Sequence, residues 1–244
     1  MKNYSLITGS SSGIGRQIAI QLSKNNNVII SGTKLSELKK TKKLCSKNNN
    51  IIIWQYDFKN IENLNNNLER LILKNKIYIN NFVHCSGIAE VGPFRLFSLS
   101  SIYKTLNINF LSASVISQLL VKKINKKKLK NILFISSLAS EIGVNGHSFY
   151  SASKGALDSL MKSLAIELAP NIRVNSILPG TIKTKMNENI FKNKNLSNKI
   201  QEGYLLGSGK ISYIADYAVF ILSDKAKWIT GQKLIIDGGK SSHG

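Results

Sequence analysis

Short, continuously apolar runs recur between longer stretches of helical periodicity along the whole chain. The strand-like runs lie at 4–8, 27–32, 51–56, 81–85, 131–136, 172–178 and 233–236. The helical stretches lie near 13–24, 35–47, 60–75, 99–123, 149–169 and 211–223. Runs such as Val28-Ile29-Ile30 and Ile132-Leu133-Phe134-Ile135 lack the polar alternation of a half-exposed strand, so both faces must be covered. Such strands, separated by helices, assemble as βαβ units into a doubly wound α/β sheet of about seven parallel strands with helices on both faces. At 244 residues, with no internal repeat, composition break or Pro/Gly-rich linker, the chain suits a single domain over 1–244. A ligand on such a sheet lies beyond the carboxyl ends of the strands.

The first of those ends is rich in glycine. Tyr4-Ser5-Leu6-Ile7 runs into Thr8-Gly9-Ser10-Ser11-Ser12-Gly13-Ile14-Gly15, and Ile18 and Leu22 follow at helical spacing. In a strand–turn–helix of this kind one glycine allows the tight bend and one lets the backbone approach a pyrophosphate. A third lets the helix pack on the sheet. The helix N-terminus offers N–H groups and a favourable dipole to the phosphates. Directly after a first strand, the turn points to nucleotide binding in a Rossmann-type domain.

A second constellation lies further along. Tyr150 and Lys154 stand at i and i+4, on one face of a helix, and Ser137 ends a strand upstream. A phenol has a pKa of about 10, and a cation within a few Å lowers it by roughly 1–3 units. The pair is therefore suited to proton transfer near neutral pH.

With these residues in hand, the chain resembles the short-chain dehydrogenase/reductase family, most closely its 3-oxoacyl-[acyl-carrier-protein] reductases. The resemblance continues in Asn107-Ile108-Asn109-Phe110, Asn175-Ser176-Ile177-Leu178-Pro179-Gly180, Thr184-Lys185-Met186, Ile229-Thr230-Gly231-Gln232 and Ile236-Asp237-Gly238-Gly239. It implies hydride transfer between a nicotinamide and a carbonyl or carbinol carbon. Tyr150 would exchange the proton. Lys154 would hold the nicotinamide ribose and depress the Tyr150 pKa, Ser137 would bond the substrate oxygen, and Asn109 would hold a water linking Lys154 to solvent. The resemblance also implies cofactor contacts from Gly9, Ser11, Ser12, Gly13, Ile14, Gly15, Thr33, Lys34, Asp57, Phe58, Gly87, Tyr150, Lys154, Pro179, Gly180, Ile182 and Thr184. Ser136 rivals Ser137, and Asn107 rivals Asn109. His147 is read as a loop residue near the substrate mouth, and residues 181–210 as a substrate lid.

One departure falls on the fourth strand. The family commonly has Asn-Asn-Ala-Gly where this chain has His84-Cys85-Ser86-Gly87. Gly87 keeps the close backbone approach, and His84 can brace the sheet in place of the first Asn. At the second strand, Val28-Ile29-Ile30-Ser31-Gly32-Thr33-Lys34 contains no acid to hold a ribose 2′-hydroxyl. Thr33 and Lys34 suit a 2′-phosphate, and Arg16 adds positive charge nearby. NADP(H) is expected, with NAD(H) second.

The formal net charge is +21, from 34 Lys+Arg against 13 Asp+Glu. Such a balance suits acidic partners, including a carrier protein. The excess is lysine spread along the chain, densest at 122–130, and arginine, the better phosphate reader, occurs only at Arg16, Arg70, Arg95 and Arg173. Specific nucleic-acid binding is not expected. No apolar stretch approaches a membrane span, no signal peptide precedes the first strand, and Cys45 and Cys85 lack metal-ligand spacing; a cytoplasmic, metal-free protein is expected. The helix over 149–169 and the last strand are expected, by resemblance, to pack across two-fold axes in a homotetramer, with a dimer second. The competing readings are a sugar, polyol or secondary-metabolite dehydrogenase and a non-catalytic nucleotide-binding scaffold.

Overall fold

Seven parallel strands lie in the order β3-β2-β1-β4-β5-β6-β7 in a computed structural model that describes residues 2–192, 198 and 201–242. They are β1 (Lys2–Ile7), β2 (Asn27–Gly32), β3 (Ile51–Gln55), β4 (Ile77–His84), β5 (Asn131–Ile135), β6 (Arg173–Pro179) and β7 (Lys233–Ile236). The helices are α1 (Gly13–Leu22), α2 (Leu35–Leu44), α3 (Leu64–Asn75), α4 (Leu99–Leu106), α5 (Ser112–Val121), α6 (Ser148–Glu167), α7 (Glu188–Lys192) and α8 (Ile211–Leu222).

The continuous apolar runs follow from the two-layer cover. Successive side chains of a strand point to opposite faces. Leu6, Ile29, Phe82 and Phe134 enter one core, with Leu68, Ile116 and Leu157 of α3, α5 and α6. Their neighbours Ile7, Ile30, Val83 and Leu133 enter the other, with Ile18, Leu38 and Ile214 of α1, α2 and α8. Every residue named here is fully buried.

Two elements differ from the sequence-based expectation. β4 begins at Ile77, before the expected 81, and Asn81 within it is buried in side-chain bonds. Asn81 Nδ2 donates to Ser5 Oγ at 2.9 Å, and Asn131 Nδ2 donates to Asn81 Oδ1 at 2.7 Å. Asn125 accepts from Ile79 N at 2.8 Å and donates to Ile79 O at 2.7 Å, standing in for a strand neighbour. The helix expected over 99–123 is interrupted by a π turn, Asn107–Leu111, between α4 and α5. That turn carries Asn109. The remaining boundaries shift by a few residues; α3, for example, starts at Leu64 rather than 60, after a turn in which Leu64 N donates to Ile61 O.

Candidate active site

A cleft of about 670 Å³ opens at the carboxyl ends of the central strands. Its floor at one end is the glycine turn. Gly9 (φ 64°) and Gly13 (φ 56°) take left-handed backbone conformations. A Cβ on Gly9 would stand 2.6 Å from the Cys85 carbonyl oxygen, and one on Gly15 would stand 2.5 Å from that of Gly9. The turn thus packs on the end of β4 with no room for side chains. Ser12, at the N-cap of α1, makes no side-chain capping bond, and the first turn of α1 holds no acid. The open N–H groups there fit a pyrophosphate.

The cleft continues past Thr33, Asp57 and Phe58 on one side and Pro179, Gly180, Ile182 and Thr184 on another. Lys34 is exposed at the start of α2 and does not line it. Arg16 requires a correction. Its guanidinium pairs with Glu37 at 2.8 Å, donates to the Ser11 carbonyl, and reaches Thr41 Oγ1 at 2.9 Å. Arg16 and Lys40 hold the Glu37 carboxyl down at about 2, Lys40 foremost. Arg16 therefore splints the glycine turn to α2, with its guanidinium turned to Glu37, a carboxylate it shares with Lys40.

At the other end Tyr150, Lys154 and Ser137 line the cleft together, with Gly87 opposite. The Lys154 ammonium lies 5.9 Å from the Tyr150 ring centroid and donates to Ile135 O at 2.8 Å. Burial lowers the Lys154 pKa to about 8, against the opposing pull of Cys85 and Asp158. The Tyr150 pKa departs from expectation. Burial raises it above its usual value, and the hydrogen bond with Ser137, rather than Lys154, is what draws it back. Ser136, the rival serine, also borders the cleft, but its hydroxyl is committed to Asp158 Oδ2, to which it donates at 2.9 Å.

Asn109 lies fully buried behind Gly87 rather than on the cleft wall. Its Oδ1 accepts from Ile88 N at 2.8 Å, and its Nδ2 donates to Ile88 O at 3.0 Å and Ser153 Oγ at 2.9 Å. A Cβ on Gly87 would be 3.5 Å from both Asn109 Oδ1 and Lys154 Nζ, so these groups crowd one spot. Asn107, its rival, instead donates to Lys59 O at 3.1 Å.

His84 braces the sheet as its position suggests, and hydrogen-bond accounting sets its tautomer. Thr8 Oγ1 accepts from Cys85 N at 3.1 Å and Ser86 N at 3.2 Å, which occupies both lone pairs. Its own proton therefore goes to His84 Nδ1, at 3.1 Å. The ring is neutral, its pKa pushed down to about 3 by burial and by Lys154. Its Nε2–H faces the main-chain carbonyls of Ile108 and Asn109 without closing a well-formed bond. Burial also raises the Cys85 thiol to about 12, which makes it inert as a nucleophile.

The mouth beyond Tyr150 has an apolar wall, with Lys185 and Asn187 lining the cleft beside Met186. Val91, Ile142, Val144 and Met186 line it, each at least partly exposed. The loops carrying Val91 and Val144 are tied by Gly92 N donating to Gly146 O at 3.0 Å. His147 also lines the mouth; its Nδ1 bonds the Asn145 carbonyl at 2.9 Å and its ring sits 6.0 Å from that of Tyr150. From the proposed lid, Tyr204 Oη accepts from Thr181 N at 2.6 Å, and Lys240 lies 6.0 Å over the Tyr204 ring. Residues 193–197 and 199–200 of that lid lie outside the described residues. Sequence reasoning passed over Tyr204, Lys240 and Asp158; only Asp158 carried a signal, its i+4 spacing from Lys154.

A groove built for a dinucleotide, ending at a phenol, a hydroxyl and an ammonium, suits redox chemistry at a C–OH or C=O centre, which places the protein among nicotinamide-dependent oxidoreductases of such groups. Comparison with known proteins agrees. A family model described as enoyl-(acyl carrier protein) reductase matches residues 9–241. A 3-oxoacyl-[acyl-carrier-protein] reductase of Buchnera aphidicola subsp. Baizongia pistaciae is 33% identical over 98% of this chain and 97% of its own. An L-rhamnose-1-dehydrogenase of Scheffersomyces stipitis is 31% identical over 96% and 93%. Among solved structures, a 4-hydroxyisoleucine dehydrogenase complexed with NADH superposes with a TM-score of 0.91, at 30% identity over 100% of both chains. ElxO with NADP bound gives 0.88, at 28% identity over 100% of both. The chain belongs to the short-chain dehydrogenase/reductase family.

Proposed function

We propose that the protein is a cytoplasmic, NADPH-dependent carbonyl reductase whose substrate is a 3-oxoacyl group held on an acyl carrier protein. The observation that carries this reading is the apolar wall of the mouth. Val91, Ile142, Val144 and Met186 offer a wall to an acyl chain, and among the described residues no carboxylate lines that end to bind sugar hydroxyls. The charge of +21 suits an acidic carrier.

Bound along the glycine turn, with Thr33, Asp57, Phe58 and the 179–184 segment beside it, the dinucleotide supplies the redox equivalents. The chain's own groups manage the proton. Tyr150 gives its phenolic proton to the substrate oxygen as negative charge develops there, and Ser137 donates a hydrogen bond to the same oxygen. Lys154 places a positive charge under both. Asn109, through Ile88, keeps the end of β4 and the π turn in register behind Lys154. The NADP(H) preference rests on the absence of an acid in Val28–Lys34 and on exposed Thr33; the Arg16 guanidinium is held by Glu37 and is not counted toward it. Thr33→Asp should move the preference toward NAD(H) in steady-state kinetics with both cofactors. A preference unmoved by that change argues against Thr33 as the 2′-phosphate contact.

A second reading, a sugar or polyol dehydrogenase, is favoured by one observation. Arg173, the basic residue nearest the loop after α6, is not free for a carrier. It donates inward to Ile221 O at 2.7 Å, Ser223 O at 3.1 Å and Ile229 O at 3.2 Å. An NADPH-oxidation screen with acyl-thioester, ketose and small-ketone substrates, using Tyr150→Phe as blank, separates the two. Turnover of ketoses in preference to thioesters would overturn the first reading.

We also propose a homotetramer, with a dimer second. Leu99 and Tyr103 of α4 and Ile166 of α6 are exposed apolar side chains, and so are Trp228 and Ile235 near edge strand β7.

A further inference from the structure

Tyr150, Lys154 and Asp158 follow one another at four-residue intervals along α6, so a phenol, an ammonium and a carboxylate share one face of the helix. The third member is buried, with 3% of its surface exposed. Its Oδ2 accepts two hydroxyls, from Ser136 at 2.9 Å and from Ser140 at 2.6 Å. These serines flank Ser137, the hydroxyl that reaches the cleft. The carboxylate therefore ties the Ser137 loop to α6 from both sides. Its Oδ1 has no hydrogen-bond partner, and among the described residues no cation lies within ion-pair distance. A carboxylate so buried is costly without compensating positive charge. The ammonium one helical turn back is also buried, 4% exposed, and is bonded only to the Ile135 carbonyl. Each of the two charges lacks a direct ion-pair partner and is offset by the other.

We propose that Asp158 is a positioning residue of this active site: its carboxylate clamps the Ser137 loop to α6 and serves as counter-charge to the Lys154 ammonium. The proposal rests on the roles given above to Ser137 and Lys154. Lys154 is faced by Tyr150 and Asp158 from its own helix and by His84 and Cys85 from the end of β4. Neutral His84 and a thiol held protonated carry no charge at neutral pH, so Asp158 is the anion in the set. Asp158 itself is faced by the hydroxyls of Ser136 and Ser140 across the loop.

The test of the counter-charge needs no substrate. In the cofactor-free full-length protein labelled with ¹³C-lysine, the Lys154 side chain is titrated by NMR. Its signal is recognised by a midpoint well below the other lysines and by its loss in Lys154→Arg. Asp158→Asn keeps an acceptor for both hydroxyls and removes the charge, so the Lys154 midpoint should fall by about half to one pH unit. Asp158→Ser, also neutral, gives the same reading should the amide fail to fold. An unmoved midpoint in either variant overturns the counter-charge. The clamp is tested by Ser136→Ala/Ser140→Ala, which leaves the carboxylate in place. Here kcat should fall roughly tenfold to a hundredfold while NADPH affinity stays within about threefold. Wild-type kcat would overturn the clamp. Should the wild-type protein reduce no carbonyl at all, the reductase reading fails, and the lysine titration still decides the charge pairing.

Discussion

At the scale of single residues, the site is governed by how burial divides protons among neighbouring groups. Lys154 is held near 8 and Tyr150 above its ordinary value. Between those two values the phenol keeps its proton while the ammonium loses its own. Carbonyl reduction should therefore decline as pH rises through about 8, with one limb that follows Lys154. A pH profile of kcat/KM for NADPH oxidation checks this; a limb appearing only above the ordinary phenol range would mean that the phenol, not the lysine, sets it. His84 makes the opposite kind of prediction, about stability. Its folded pKa of about 3 lies below the unfolded value of about 6.5. Between these values the unfolded chain binds the extra proton, so stability is present above about 6.5 and is lost as pH falls toward 3. The contribution is several kcal/mol at its full extent. His84→Asn, which keeps a hydrogen-bonding group without a titration, should flatten denaturant-measured stability over that window. Tyr150, Lys154 and Ser137 were singled out by spacing together with the family resemblance, and the structure brings the three to one cleft. The His84 tautomer and the hydrogen bonding of Asp158 were not legible in the sequence, because both depend on which lone pairs are already taken in the folded core.

At the scale of elements, the strand–turn–helix at the start of the chain is where sequence and structure agree most closely, since its glycines are required by backbone contacts. Gly9 combines a φ of 64° with a Cβ position 2.6 Å from the Cys85 carbonyl oxygen. Gly9→Ala should cost about 2–4 kcal/mol, from left-handed backbone and from overpacking against β4. Differential scanning calorimetry should show a fall in Tm of roughly 5–15 °C; a fall of a degree or less would mean that β4 yields easily. Two other elements were hidden. β4 starts before Asn80-Asn81, with Asn81 bonded to Ser5 and Asn131 and with Asn125 bonded to the Ile79 main chain, and nothing in a local pattern marks an Asn-Asn pair as strand. The π turn at 107–111 leaves an apolar periodicity that reads as unbroken helix. Its cause is a tertiary contact, the Asn109 side chain bonding both main-chain polar groups of Ile88.

At the scale of the molecule, two surface properties oppose each other. A charge of +21 per chain makes identical copies repel. Against this, edge strand β7 leaves Ile235 44% exposed, Trp228 in the segment leading to it is 97% exposed, and Ile166 on α6 is 83% exposed. Open strand edges and contiguous apolar surface favour a second copy. The repulsion is screened over about 10 Å at 0.1 M salt and reaches about three times as far at 0.01 M, whereas apolar contact is nearly indifferent to such a change. Association should therefore tighten as salt is raised, opposite to the behaviour of a lysine surface binding nucleic acid, which loosens. Light scattering of the wild-type protein at low and moderate ionic strength should show mass moving toward the tetramer as salt increases. Trp228→Lys removes the apolar anchor and adds a charge at the β7 edge, so it should leave a dimer joined through α4 and α6. Ile166→Lys should leave the complementary dimer joined through β7, and the double variant should be monomeric. A single-substitution protein with the full wild-type mass at both ionic strengths would show that its side chain lies outside any subunit contact and that its exposed surface has another use.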